Sequence, residues 1–148
     1  MNLGTHQNPI EILLVEDSET DVMMVQAAFE DAKVANHLHV MDNGVDALAF
    51  LRRQGVYADA PRPAMVLLDL HLPKMSGQEV LAEMKADAQL QTIPVVVFTS
   101  SKADEDILRA YSLHANCFVT KPMDFAGFIE VIRAIEHFWL TIVTLPPR

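Results

Sequence analysis

Cysteine is almost missing from this chain. Cys117 stands alone, so no disulfide can close within it, which excludes oxidised secreted scaffolds and cysteine-rich zinc modules. Positive charge is scarce as well: 11 Lys and Arg against 20 Asp and Glu leave a net charge of −9. That balance excludes an electrostatic nucleic-acid binder, which needs a concentrated basic surface. No apolar run approaches the roughly 20 residues of a membrane helix, and residues 1–9 are polar, without the apolar centre of a signal sequence. Internal repeats, low-complexity tracts and linkers are also lacking. What is there is 148 residues, room for about one domain, with 51% of them apolar, enough to build a core and to exclude disorder. The expectation is an acidic, soluble, cytoplasmic single domain with no membrane or nucleic-acid partner.

Short apolar runs alternate with longer helical patterns. Residues 11–15 (Glu-Ile-Leu-Leu-Val) end abruptly in Glu16-Asp17, and residues 64–68 (Ala-Met-Val-Leu-Leu) end in Asp69. Residues 94–98 end in Thr99-Ser100-Ser101, and residues 116–119 end in Thr120-Lys121-Pro122. Residues 37–40 form a weaker, more polar run. Runs rich in β-branched residues and lacking strict alternation suit parallel strands covered on both faces. Between them, residues 18–32 carry Val22, Val25 and Phe29 at helical spacing, and residues 44–53 place Val45, Leu48, Ala49 and Leu51 as a stripe. Residues 78–86 offer Val80, Leu81 and Met84 after Ser76-Gly77, and residues 102–114 offer Ile107, Ala110 and Tyr111. Asp124 can cap a last helix bearing Phe128, Ile129, Ile132, Ile135 and Trp139. Five strands each followed by a helix predict an α/β, doubly wound parallel sheet with right-handed crossovers.

In such a sheet, ligands bind beyond the carboxyl ends of the strands. The residues predicted there are Glu16, Asp17, Asp69, Thr99, Ser100 and Lys121: three carboxylates, a hydroxyl pair and one ammonium from four strands. Chance can end one apolar strand in a charge; it would rarely produce this set at corresponding positions. Three carboxylates held close either raise a pKa or demand a cation. Oxygen ligands without metal-spaced Cys or His suit Mg2+, which takes one or two carboxylates plus a phosphate. Asp69 precedes an irregular loop, residues 71–77, that leaves it at the mouth of the site. A carboxylate beside Mg2+ can attack a phosphoryl group in line, and Lys121 with the Thr99 hydroxyl would then stabilise its oxygens. The pattern reads as a phosphoryl-accepting acidic pocket.

The runs Ile12-Leu-Leu-Val-Glu-Asp17, Val66-Leu-Leu-Asp-Leu-His-Leu-Pro73 with Ser76-Gly77, Val95-Val-Val-Phe-Thr-Ser100 and Phe118-Val-Thr-Lys-Pro122 resemble the receiver domains of two-component response regulators. The resemblance covers residues 10–139, with all four motifs in order. It implies a flavodoxin-like fold with strand order 2-1-3-4-5, flanked by a flexible segment at 1–9 and an apolar extension at 140–148. It makes Asp69 the phosphoacceptor, Glu16 and Asp17 the acidic Mg2+ pair, and the His71 carbonyl a further metal ligand. Thr99 and Lys121 become the switch hydroxyl and the phosphate-binding lysine, and Ser100 the small neighbour that admits a phosphodonor. Two positions depart from the common pattern. Phe118 stands at the aromatic switch position where many members carry Tyr, so a hydrogen-bonded switch is not implied. His71 stands two residues after the acceptor, so the phosphoryl lifetime of other members does not transfer. The loop Tyr57-Ala-Asp-Ala-Pro-Arg-Pro, the run Leu113-His-Ala-Asn-Cys117 and the tail from His137 to Pro146 resemble the stand-alone regulators of bacterial phytochrome histidine kinases. That likeness implies a sensor histidine kinase partner, a bacteriophytochrome, and a homodimer.

Several of these residues also suit a purely structural role. Glu16 and Asp17 suit a helix N-terminus, and Ser101 suits an N-cap; only the company of Asp69 and Lys121 turns the acids into a site. His37 and His39 share a strand face but have no third ligand nearby in sequence, so zinc is not expected. Cys117 is expected as a small buried strand residue. A Mg2+-dependent phosphatase or phosphotransferase with an Asp nucleophile would need an acid two residues after it and a covering cap; His71 stands there, and no residues are spare for a cap. A phosphorylation-independent interaction module would be expected to have lost the acceptor or the lysine. The chain is therefore read as a phosphoacceptor rather than an enzyme, with output through an unknown downstream protein. On the last helix, Val131, Ala134 and Phe138 form a second apolar stripe, continued by Leu140, Ile142, Val143 and Leu145. One sheet face cannot cover both stripes, so a homodimer interface is expected through Val131, Phe138, Trp139, Ile142 and Leu145.

Overall fold

The computed structural model describes residues 9–32, 35–100, 107, 112, 114, 115, 117–135 and 137. Five strands form one parallel sheet: β1 (Ile10–Val15), β2 (Asn36–Met41), β3 (Met65–Leu68), β4 (Val95–Thr99) and β5 (Cys117–Thr120). Their order is β2-β1-β3-β4-β5, as expected. Helices α1 (Glu19–Ala32), α2 (Gly44–Leu51), α3 (Gly77–Ala86) and α4 (Phe125–Ile135) complete the alternation. The helix expected over 102–114 lies largely outside the described residues, as do Ser101, Phe138, Trp139, Ile142, Leu145, the extension at 140–148 and all of 1–9 but Pro9.

The uninterrupted apolar strands have a simple cause: side chains alternate between two faces, and both are covered. Leu13, Val15, Val66, Leu68, Val95 and Val97 pack on one side with Leu48, Leu51, Val80, Leu81 and Met84 from α2 and α3. Ile12, Leu14, Met65, Leu67, Val96 and Phe98 pack on the other with Val25 and Phe29 from α1 and Phe128, Ile132 and Ile135 from α4. The register joins Leu14 to Leu67 and Leu67 to Val96, so the central rows are continuous. Each such buried Leu or Val contributes on the order of 1.5–3 kcal/mol of transfer free energy. Phe98 and Phe128 meet edge to face across the sheet and α4, with ring centroids 5.5 Å apart.

Local signals set the helix starts. Ser18 accepts the Asp21 N–H, Asn43 the Asp46 N–H and Asp124 the Gly127 N–H. On α3, Ser76 Oγ accepts the Glu79 N–H and donates its own hydroxyl to the Glu79 carboxylate. The expected stripe on α2 is corrected: Val45 is exposed and Ala49 half-buried, while Ala47, Leu48, Phe50 and Leu51 face the core. Phe50 then stacks edge-on with Tyr57 from the short 3-10 turn Gly55–Tyr57. Cys117 is half-buried rather than enclosed, and burial raises its thiol pKa, keeping it protonated and inert. On α4, Val131 is half-buried against its own core and Ala134 is exposed.

Candidate functional site

The sheet's hydrogen-bond ladder continues past the strand ends and fixes the backbone of the residues there. Glu16 N–H donates to the Met41 carbonyl, Asp69 N–H to the Val15 carbonyl and Lys121 N–H to the Thr99 carbonyl, at 2.9, 3.1 and 2.8 Å. Asp69 is thereby carried to the place where β1 ends in Glu16-Asp17. Gly77, at the start of α3, lets the helix pass the acceptor: a Cβ there would lie 2.1 Å from the Asp69 carbonyl oxygen. Its own N–H donates to the Leu70 carbonyl at 2.8 Å, closing the loop that follows Asp69.

Lys121 is the centre of the cluster. Its Nζ pairs with Glu16 Oε1, with Asp21 Oδ2 at 2.8 Å and with Asp69 Oδ2 at 3.2 Å. Burial alone would lower the lysine's pKa, but the hydrogen bonds to Asp21 and Glu16 and the charge of Asp69 more than offset it, so the ammonium is held above its ordinary range. Glu16, only 2% exposed, is shifted upward as well, which for an acid disfavours the charged form. Desolvation is the largest cause and the Asp69 charge adds to it; against the pull of Lys121, its carboxyl is raised to about 7. The remaining acceptor oxygens are also used: Glu16 Oε2 accepts the Ser18 N–H at 3.1 Å, and Asp69 Oδ1 accepts the His71 N–H at 3.3 Å.

Three carboxylates on one ammonium, with the exposed Asp17 beside them, leave the cluster negative. Glu16, Asp17 and Asp69 each offer an oxygen, and these lie within 4.8 Å of one another. Hard oxygen donors at that spacing fit a divalent cation that keeps part of its water shell. An open cleft of about 390 Å³ beside the cluster is lined by Glu16, Asp17, Glu19, Met23 and Asp42.

The structure brings together Glu16, Asp17, Asp69 and Lys121 as expected from the sequence. Thr99, fully buried, ends β4 beside the exit of β3, with Ser100 exposed just after it. Phe118 sits half-buried on β5, paired with Val97 and packed on the α2–α3 side of the core. His71 is exposed at the mouth. Asp21 was not foreseen. It stands in the first turn of α1, past the end of β1, and reaches Lys121 from there.

Among the described residues, no helix is long and apolar enough to cross a membrane. The family model for the response regulator receiver domain matches residues 12–133. Response regulator Rcp1 of Synechocystis sp. is 45% identical over 138 residues, 93% of this chain and 94% of its own length. A crystal structure of the phosphorylated cyanobacterial phytochrome response regulator RcpA superposes with a TM-score of 0.91 at 42% identity, covering 95% of this chain and 100% of that one. The Mn2+-bound form of Rcp1 superposes at 0.88 with 45% identity, over 94% of this chain and 100% of its own.

Proposed function

The chain belongs to the response regulator receiver family, and from that premise we propose that Asp69 accepts a phosphoryl group from a phosphohistidine on a sensor histidine kinase. The observation that carries the reading is the meeting of Asp69, Glu16 and Lys121 at the carboxyl ends of three strands. An Asp69 carboxylate oxygen attacks phosphorus as the bond from phosphorus to the imidazole nitrogen breaks. The product is an acyl phosphate on Asp69, and the electron pair leaves with the imidazole. Glu16, Asp17 and Asp69, with the His71 carbonyl, would hold the cation, for which we propose Mg2+. Such an ion neutralises charge shared by the carboxylates and the phosphoryl oxygens.

Lys121 already touches Asp69, so its ammonium is in place for the negative charge that arrives with the phosphoryl group. The Thr99 hydroxyl is assigned the same task from β4, and exposed Ser100 leaves the approach open. Redistribution of Lys121 among Glu16, Asp21 and the phosphoryl oxygens then repositions the loop after β3 and the segment 102–114. Phe118, lacking a hydroxyl, follows this change by packing alone. No separate substrate is turned over. Likeness to the phytochrome response regulator RcpA supports a bacteriophytochrome as the kinase. For assembly we propose a homodimer through Val131, Phe138, Trp139, Ile142 and Leu145, supported by the apolar character of these positions in the sequence. Sedimentation of the full chain tests that, and a monomer at micromolar concentration defeats it.

The phosphoryl reading is tested by incubating the protein with acetyl phosphate and Mg2+ and measuring intact mass. One phosphoryl addition is expected on the wild type and none on Asp69→Asn. Equal labelling of both would remove Asp69 from its role.

A further inference from the structure

The acidic chain gathers arginines at the other end of its sheet. Arg52 and Arg53 follow α2, and Arg62 precedes β3; with Asp87, Leu51 and Leu90 they line a cavity of about 400 Å³ at the amino ends of the strands. Three guanidiniums thus meet one lining carboxylate. Arg52 is already neutralised, by Glu83 at 3.1 Å and Asp87 at 3.5 Å. Arg62 is held by neutral groups, the Gln89 carbonyl and, at 2.9 Å, the Thr92 hydroxyl. Arg53 is exposed, and among the described residues neither it nor Arg62 has a carboxylate partner.

The backbone adds an independent observation. Gln54 N–H donates to the Ala49 carbonyl and Arg53 N–H to the Phe50 carbonyl, the double bond of a helix ending that places its closing residue in the left-handed region. That residue is Arg53, with φ 54°, where glycine is the unstrained choice. A strained non-glycine backbone on the rim of a charged cavity is the kind of outlier from which a role can be inferred. The left-handed backbone sets Arg53 on the lining of the cavity.

We propose that this cavity is a binding site for a phosphomonoester of about nucleotide size, distinct from the acceptor site. Two uncompensated guanidiniums match the two charges of a phosphate monoester, and their planar forks suit its oxygens. A cavity of this volume falls in the range that encloses an organic ligand rather than a bare ion, and only the edges of the buried Leu51 and Leu90 reach its lining.

The test is amide NMR of the full chain titrated with AMP in EDTA, so that no cation recruits the nucleotide to the acidic cluster. Saturable shifts are expected at Leu51–Gln54, Arg62 and Asp87–Leu90. Arg53→Gly, which removes the charge while relieving the backbone, and Arg62→Gln, which keeps donors for the Gln89 carbonyl, should each weaken binding roughly tenfold. A purely structural role for Arg53 would leave the affinity unchanged and overturn its assignment. The proposal also fails if adenosine or inorganic phosphate binds as tightly as AMP, if an Asp/Glu-rich peptide binds more tightly, or if no shifts appear at these residues. Uptake of phosphoryl groups from acetyl phosphate should be the same in both variants, which separates this site from Asp69.

Discussion

The two ends of the sheet handle charge in opposite ways. At the carboxyl ends, one ammonium serves Glu16, Asp21 and Asp69, and negative charge is left over. At the amino ends, Arg52 is matched by Glu83 and Asp87 while Arg53 and Arg62 keep their charge. A parallel sheet makes this sorting cheap, because every βα loop falls at one end and every αβ loop at the other. The difference is what the two proposals rest on: a cation and then a phosphoryl group at the first end, an anion at the second. Each end also relies on one backbone feature, a glycine where no Cβ fits (Gly77) and an arginine where a glycine would be easier (Arg53).

Removing the shared ammonium should disturb this balance most. Lys121→Met leaves buried Glu16 and Asp69 facing each other, and breaking a buried pair by deleting one partner costs about 3–5 kcal/mol. Chemical denaturation without metal should show that loss, and millimolar Mg2+ should recover part of it; equal stability to wild type would mean that the cluster is not held by Lys121. Next in size is Gly77→Ala. Its Cβ would push on the Asp69 carbonyl, and overpacking of this kind costs roughly 1–3 kcal/mol. Slower uptake from acetyl phosphate should accompany it, because the acceptor backbone moves. At the other end the sign reverses: Arg53→Gly should raise stability by about 1 kcal/mol as the left-handed strain is relieved. A loss in thermal unfolding experiments would deny that the position is strained.

The smallest effect belongs to neither end. On β1 and β2, Glu11 accepts hydrogen bonds from His37 at 2.9 Å and His39 at 2.7 Å. Burial pushes its carboxyl upward, but the bonds to His39 and His37 outweigh this and leave it below its ordinary value of 4.5. Because the folded value is the lower one, the contribution is complete above pH 4.5 and disappears as pH falls through the folded value. Partly exposed pairs of this type contribute about 0.5 kcal/mol. Glu11→Gln should therefore be slightly less stable than wild type near neutral pH and indistinguishable from it in acid. A gap that persists unchanged into acid would assign the cost to packing instead.

Much of the first end is legible in the sequence because an apolar strand must stop at a polar residue, and four such stops carry the chemistry. Two-sided burial of the strands is legible for the same reason. Asp21 is not legible in the same way, because it sits on a helix rather than at a strand end. The buried face of α2 was misread because six of its eight residues are apolar, so spacing cannot choose among them. The arginine cavity is hidden for a different reason. Arg62 and Gln89 are far apart in the chain, and the turn after α2 carries its glycine at position 55 while Arg53 takes the left-handed place.

Amide-resolved NMR on one sample, first with Mg2+ and then with acetyl phosphate, tests the account most directly. Successive shifts are predicted at Glu16, Asp17, Asp69, Thr99 and Lys121, with Leu51–Gln54 unmoved. Shifts concentrated around the arginines, or a phosphoryl-dependent change that survives Asp69→Asn, would contradict it.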